Sequence, residues 1–383
     1  MNGRKGWLRS YPKDCETLKL LDRYILVKIL ATFFFVLLIL VAIIVVIDLT
    51  EKVDKFAQNN LSTATVLGYY LDFVPWIAGL ISPIIVFIAI VYVTGRLAAH
   101  TEIIAMLSSG VSFPRLLVPY FIGATIIAAI TFVLNGWIIP KSNKTRLEFE
   151  LTYFKNQYYF DRKNIHMQIE PNVYMFIQNF NNQNNTGYQF TLEKFDSNRM
   201  VEKLTAENIA WDTTKKVWHL KMWKRKFVDS LFLVRANASM FDLRTTGTDM
   251  DTALNIKPVD FENEEGKYDG MTIPELTEHI QKLRFRGATG VETYEVERHI
   301  RFAAPFTIFV LVFMGVLVSA RKSRGGTGFQ IVMGFILAFI FLIFFLLTRT
   351  FAETGALPPL LAAWMPNITF AVIAAFMYRY VPR

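Results

Sequence analysis

ILATFFFVLLILVAIIVVI, residues 29–47, is the stretch on which the fold turns. It carries no charged side chain, and it lengthens to Ile25 if the Lys28 ammonium snorkels to the membrane surface. A helix of this length crosses the hydrocarbon core of a bilayer. The run is too long for the apolar core of a signal peptide, and no small-residue cleavage site follows it. It therefore reads as a retained span. Five further uncharged runs occur at Phe73–Thr94, Leu116–Ile139, Phe302–Ala320, Phe329–Thr348 and Leu360–Met377, which predicts six spanning helices.

Charge distribution orients them. The short segments on the N-terminal side (1–24, 95–116, 320–327 and 379–383) hold thirteen Lys or Arg. Those on the opposite side hold only Lys52, Lys55 and Arg349. Positive charge collects on the cytosolic side of membrane proteins, so both termini are expected in the cytosol. Trp76, Trp137 and Trp364 fall near run ends, where an aromatic belt forms. The chain of 383 residues is 53% hydrophobic and 19% charged, the profile of a membrane protein with one soluble domain. Its net charge of +9 flanks apolar runs, which marks topology and argues against a nucleic-acid partner. Cys15 is the only cysteine, so no intrachain disulfide forms.

The segments between the runs carry the rest of the organisation. RLAAHTEIIAMLSSGVSFPR (96–115) predicts a short cytosolic helix over residues 97–109, with Gly110 just past its end and Pro114 soon after. Leu97, Ile104 and Leu107 recur at helical spacing, and Glu102 is the sole acid. A connector resting on headgroups would carry several cations. This one has none between Arg96 and Arg115, which favours a protein partner. Between spans three and four, residues 141–301 form a polar insertion on the outer face. Asn172–Phe180 is rich in β-formers, and Val217–Lys224 alternates Trp218, Leu220 and Met222 against His219 and Lys221. Residues 141–271 thus read as a β domain of sandwich or jelly-roll size. TIPELTEHIQKLRFRG (272–287) then reads as a helix with a capping Thr, an early Pro and a terminal Gly. Residues 272–301 connect the β domain back to spans four to six and a short tail, 302–383, while residues 25–140 hold the first three spans.

Chemistry is thin. No run interior holds Asp, Glu, Lys, Arg or His, groups that proton- or sodium-coupled transporters use as relays. RGGTG (324–328) lacks the GxxxxGK[ST] of a P-loop. The five His show no HExxH, and Ser108–Ser109–Gly110 lacks a G-x-S-x-G setting. No catalytic residue, cofactor or metal site emerges. Lys52 and Lys55 either mark the headgroup boundary or form a mouth for anionic headgroups; spacing leaves both open. A membrane chain with an outer β domain, an inner docking helix and no energy source suits a permease subunit driven by a separate ATPase. It equally suits a non-transporting scaffold.

Several motifs point further. LDRYI (21–25), TEIIAMLSSGVS (101–112), IPELTEHIQKLRFRG (273–287), Y-x-V-E-x-H (294–299) and the ending LPPLLAAWMPNITF…YRYVPR (357–383) run in order from the first span to the C-terminus. In that order they resemble the six-span LptF/LptG permease subunits of the lipopolysaccharide exporter, with span one closer to the LptG-like member.

The resemblance implies a bacterial inner-membrane protein that performs no covalent chemistry. It would pair with a paralogous six-span subunit above a cytosolic ABC ATPase dimer. A periplasmic jelly-roll-like domain would continue into bridge proteins of similar fold. Lipopolysaccharide would enter through lateral gates formed by span one of one subunit and span five of the other. Glu102 would be the coupling acid that contacts the ATPase, with Thr101, Ile103, Ile104 and Leu107 around it. Near the outer end of span one, at the family's lipid-binding cluster, Asp48 would match the family and Lys52 would fit one basic position for lipid phosphates, with Lys55 nearby but out of register. Glu51 and Val45 stand where relatives of the second type are basic. Another anionic glycolipid remains an alternative cargo.

Overall fold

The computed structural model describes residues 20–154, 163–196, 199–227, 244–261, 266–288, 290–320 and 326–379. The basic residues up to Lys19, Cys15, Arg321, Lys322, Arg324 and Arg383 lie outside them. The described chain runs α1 (Leu20–Gln58), α2 (Thr63–Ala99), α3 (Glu102–Ser108), α4 (Phe113–Val133) and α5 (Ile139–Tyr153). Six strands follow, and then α6 (Ile273–Arg286), α7 (Val291–Ser319), α8 (Gly326–Glu353) and α9 (Pro359–Tyr378).

Six helices are long and apolar enough to cross a membrane: α1, α2, the continuous α4–α5 rod, α7, α8 and α9. The rod passes through a π-helical turn at Leu134–Ile138 and runs on to Tyr153, well past the apolar run that ends at Ile139. Burial is uneven. Only 11% of the most apolar window of α1 and 22% of that of α8 is buried, against 61% for α2. Glycines let the central helices approach closely. A Cβ added at Gly315 of α7 would lie 3.0 Å from Ile90 of α2, and one at Gly334 of α8 would lie 3.0 Å from Val91. Uncharged polar pairs add to the packing. Thr94 donates to Tyr120 at 3.1 Å and Thr307 to Asn367 at 2.8 Å, each between two helices.

The insertion holds one antiparallel up-and-down sheet. Its strands β1 (Lys163–Glu170), β2 (Val173–Asn181), β3 (Thr186–Asp196), β4 (Arg199–Asp212), β5 (Val217–Phe227) and β6 (Arg244–Thr252) lie in chain order. No jelly-roll crossover occurs among the described strands. Trp218, Leu220, Ile177, Ile209 and Phe190 are buried, and Trp218 donates to the Ile256 carbonyl at 2.9 Å. The alternation expected along β5 breaks at Met222, which has φ +50° and is 61% exposed. The left-handed backbone turns its side chain outward, and Trp223 packs on the core instead.

The loop between spans two and three also departs from expectation. The helix predicted over 97–109 is two helices. α2 continues to Ala99, Thr101 takes φ +61°, and α3 begins at Glu102. A left-handed residue cannot continue a right-handed helix, so the chain bends there. Gly110, at φ +95°, ends α3, and α6 ends as its sequence predicts, on Gly287 at φ +60°.

Candidate functional site

At the end of the bundle opposite the β domain, α3 rests against the start of α1. The Tyr24 hydroxyl donates to Glu102 Oε2 at 3.0 Å, and Lys28 Nζ lies 3.9 Å from Glu102 Oε1. Tyr24 and Lys28 are one turn apart and share a face of α1, where Lys28 also donates to the Tyr24 hydroxyl. Below them Arg115 of α4 grips Asp22 with both terminal nitrogens, at 2.9 Å and 2.6 Å. Asp22 is buried, and the two-pronged guanidinium compensates its lost hydration.

α3 divides its side chains between two tasks. Ile103 is fully buried and Leu107 partly so, which fastens the helix to the bundle. Ile104 is 53% exposed, and Thr101 is exposed with its hydroxyl donating to the His100 carbonyl at 2.6 Å. The exposed surface of this segment is therefore Thr101, Ile104, Ala105 and the Ser108–Gly110 tip.

At the β-domain end, α1 is fastened again. Lys52 Nζ lies 2.7 Å from Asp48 and donates to the Tyr69 hydroxyl at 2.5 Å. Tyr70 donates to the other oxygen of Asp48 at 3.1 Å. Tyr69 donates on to Glu150 at 3.2 Å, and Glu150 is paired with Arg146 at 2.6 Å. Arg146 stacks over Trp76 at 4.2 Å. Lys52 is thus enclosed by an acid and by the rings of Tyr69, Phe73 and Phe154. Lys55 is exposed, with its ammonium 5.7 Å from the Phe154 ring.

A second charged network joins the β-domain side to α7 and α8. Glu297 pairs with Arg301 at 3.0 Å and with Arg349 at 3.5 Å, and Arg349 pairs with Glu353 at 2.7 Å. Arg301 donates to the carbonyls of Met271 and of Tyr268, the latter at 2.8 Å. Beside them, burial pushes the Asp269 carboxyl up to about 6; the Glu297 charge adds to this, and Arg349, Arg146 and Arg301 oppose it. Sequence reasoning placed Arg349 only as a topology marker and missed Asp22, Tyr24, Lys28, Arg115, Arg146 and Glu150 as partners. The available signal was spacing: Tyr24/Lys28, Asp48/Lys52 and Arg146/Glu150 are each four residues apart on one helix.

Among the described residues, no three His, Cys, Asp or Glu are grouped to hold a metal ion. The model of the family described as "Lipopolysaccharide export system permease LptF/LptG" matches residues 23–380. The lipopolysaccharide export system permease protein LptG of Escherichia coli K12 is 20% identical over 361 residues, covering 93% of this chain and 97% of the relative. LptG of E. coli O6:H1 (strain CFT073) matches to the same extent. With the matched span embracing all six membrane helices and the inserted sheet, the chain belongs to the LptF/LptG family of lipopolysaccharide export system permeases.

Proposed function

We propose that the chain is one permease half of an ABC exporter that lifts lipopolysaccharide out of the inner membrane and passes it to periplasmic bridge proteins. A paralogous six-span subunit completes the pathway and a cytosolic ATPase dimer supplies the energy. The observation that carries this reading is the family match across residues 23–380, which includes both α3 and the β domain. On this reading the termini are cytosolic and the β domain periplasmic, in keeping with the thirteen-to-three charge bias.

The geometry supports a mechanical role for α3. Exposed Ile104 offers an apolar foot for an ATPase groove, while Ile103 keeps α3 attached to the bundle. Glu102 bridges to Tyr24 and Lys28, so displacement of α3 pulls directly on the cytosolic end of α1. The other end of α1 is held by the Asp48–Lys52–Tyr69–Tyr70 contacts. The lightly buried faces of α1 and α8 line the seam past which lipid moves. Lys55 is the more accessible cation for a lipid phosphate at the outer end of α1, and Lys52 reaches one only by releasing Asp48.

Affinity purification of the tagged chain in mild detergent, with mass spectrometry of its companions, tests the reading. Recovery of a P-loop ATPase, a second six-span protein and lipopolysaccharide is expected. A solitary chain carrying only phospholipid overturns it. Orientation is tested on intact cells, where Cys15 should resist an impermeant maleimide and a cysteine placed at Asn184 should react.

A further inference from the structure

The two charged networks at the β-domain end are joined through a short strap. The first runs from Asp48 and Lys52 of α1 through Tyr69 of α2 to Glu150 and Arg146 of α5. Arg146 donates on to the Asn143 side chain at 3.1 Å, and Asn143 donates to the Asp269 carbonyl at 3.2 Å. The flanking carbonyls of Tyr268 and Met271 are held by Arg301 of α7, which leads through Glu297 to Arg349 and Glu353 of α8. Residues 268–271, which carry the chain into α6, are thus gripped by α5 on one side and α7 on the other. The seat is close: a Cβ added at Gly270 would lie 3.4 Å from the Lys144 backbone. Asn143, Arg146 and Arg301 are buried, so little water competes for these contacts. Through the strap, the β-domain ends of α1 and α8, the two least buried spans, are braced against each other.

One group in the strap is at odds with its surroundings. Among the described residues, no hydrogen bond or ion pair reaches the Asp269 carboxyl. The charges that face it are Arg146 from α5, Glu297 and Arg301 from α7 and Arg349 from α8, with Lys267 and Tyr268 beside it in the chain. Each of the three arginines is already paired, with Glu150, Glu297 or Glu353 at 2.6 to 3.0 Å. The link from Arg349 to Glu297 is the longest ion pair of the path, at 3.5 Å. An ionised Asp269 repels Glu297 and competes with it for Arg349, whereas a protonated one does neither.

We infer that residues 268–271 form a proton-sensitive brace. With Asp269 protonated they tie the β-domain ends of α1 and α8 to one another, and with Asp269 ionised the tie slackens at Arg349–Glu297. The brace depends on the six-span bundle and not on the exporter reading. Burial holds the Asp269 proton up to about 6, so the change falls between mildly acid and neutral pH.

The test uses the purified full chain, with any subunits that accompany it, in nanodiscs. Nitroxides are attached through a keto amino acid at Val53 of α1 and Phe351 of α8, both about half exposed and outside the network. Pulsed dipolar spectroscopy then reads the distance between them from pH 4.5 to 8. A narrow distribution is expected in acid, broadening towards neutral pH as a one-proton step spread over about two pH units. Asp269→Asn should keep the narrow distribution at every pH. Arg349→Gln should give the broad one at every pH, and if that variant does not accumulate, Tyr69→Phe, which cuts the same path at α2, takes its place. A wild-type distribution that ignores pH overturns the brace. So does a pH step that survives in Asp269→Asn, which would assign it to another group such as His279 or His299, or a cut path that leaves the wild-type behaviour intact. Absence of an ATPase from the preparation would sink the exporter reading and leave this result standing.

Discussion

Tyr24 and Glu102, 78 residues apart in the chain, meet in a 3.0 Å hydrogen bond that fastens the first spanning helix to the short helix α3. A contact between two helices that are covalently separated by a whole span acts as a strut. Tyr24→Phe removes it and leaves the ring. Export per ATP hydrolysed is expected to fall severalfold, with ATPase recovery unchanged. Glu102→Lys should uncouple hydrolysis from export while leaving membrane insertion intact, and Lys28→Glu in the same chain should restore part of the loss. Export at the wild-type rate in Glu102→Lys would end the coupling role.

Asp22 and Arg115 give a stability prediction. Asp22→Asn leaves a guanidinium without its carboxylate beside a buried position. Breaking a fully buried pair costs about 3–5 kcal/mol, and partial exposure of Arg115 reduces that to about 2 kcal/mol. Thermal unfolding in detergent should show the drop. A variant as stable as wild type would mean that Arg115 is satisfied without the Asp22 carboxylate.

The two lysines at the outer end of α1 should behave differently. Lys52→Gln breaks the contacts to Asp48 and Tyr69 and is expected to destabilise the chain by about 1 kcal/mol. Lys55→Glu should leave stability unchanged and weaken lipopolysaccharide cross-linking at that end of α1. Lipid cross-linking that responds to Lys52→Gln alone, with stability untouched, would reverse the assignment.

Asp269 predicts a pH dependence. Its carboxyl holds a proton up to about 6, against an ordinary value of 3.8. The folded chain therefore binds that proton more tightly than the unfolded chain, and the junction gains stability as pH falls through this window. Above about 6 the full cost of the buried charge is present. Asp269→Asn should stabilise the chain at neutral pH by on the order of 2 kcal/mol, and the gain should vanish near pH 4. Melting temperatures across pH for both chains decide it. A pH-independent difference would place the effect elsewhere.

The six spans were legible because the bilayer demands long uncharged runs, and α6 because Thr272, Pro274 and Gly287 mark its limits. The kink at Thr101 was not, since a left-handed conformation in a threonine leaves no trace in composition. Met222 escaped for the same reason. Glu102, Asp48 and Lys52 could be singled out by motif, but what they touch could not. Tyr69 lies 17 residues from Lys52 and 81 from Glu150, and only the packing of α1, α2 and α5 brings them together. Arg349 and Glu297 meet by the same long-range route.

The bareness of α1 and α8 has a thermodynamic corollary. In water, apolar faces of that extent would drive tight and lasting association. In lipid they gain almost nothing from exchanging an acyl chain for a neighbouring helix. Contacts made through Leu38, Val46, Phe335 or Phe339, all more than half exposed, are therefore nearly isoenergetic whether closed on protein or open to lipid. On the exporter reading proposed above, a seam of this kind would part and re-form at little cost in every turnover, and the energy of nucleotide hydrolysis would be left for the cargo.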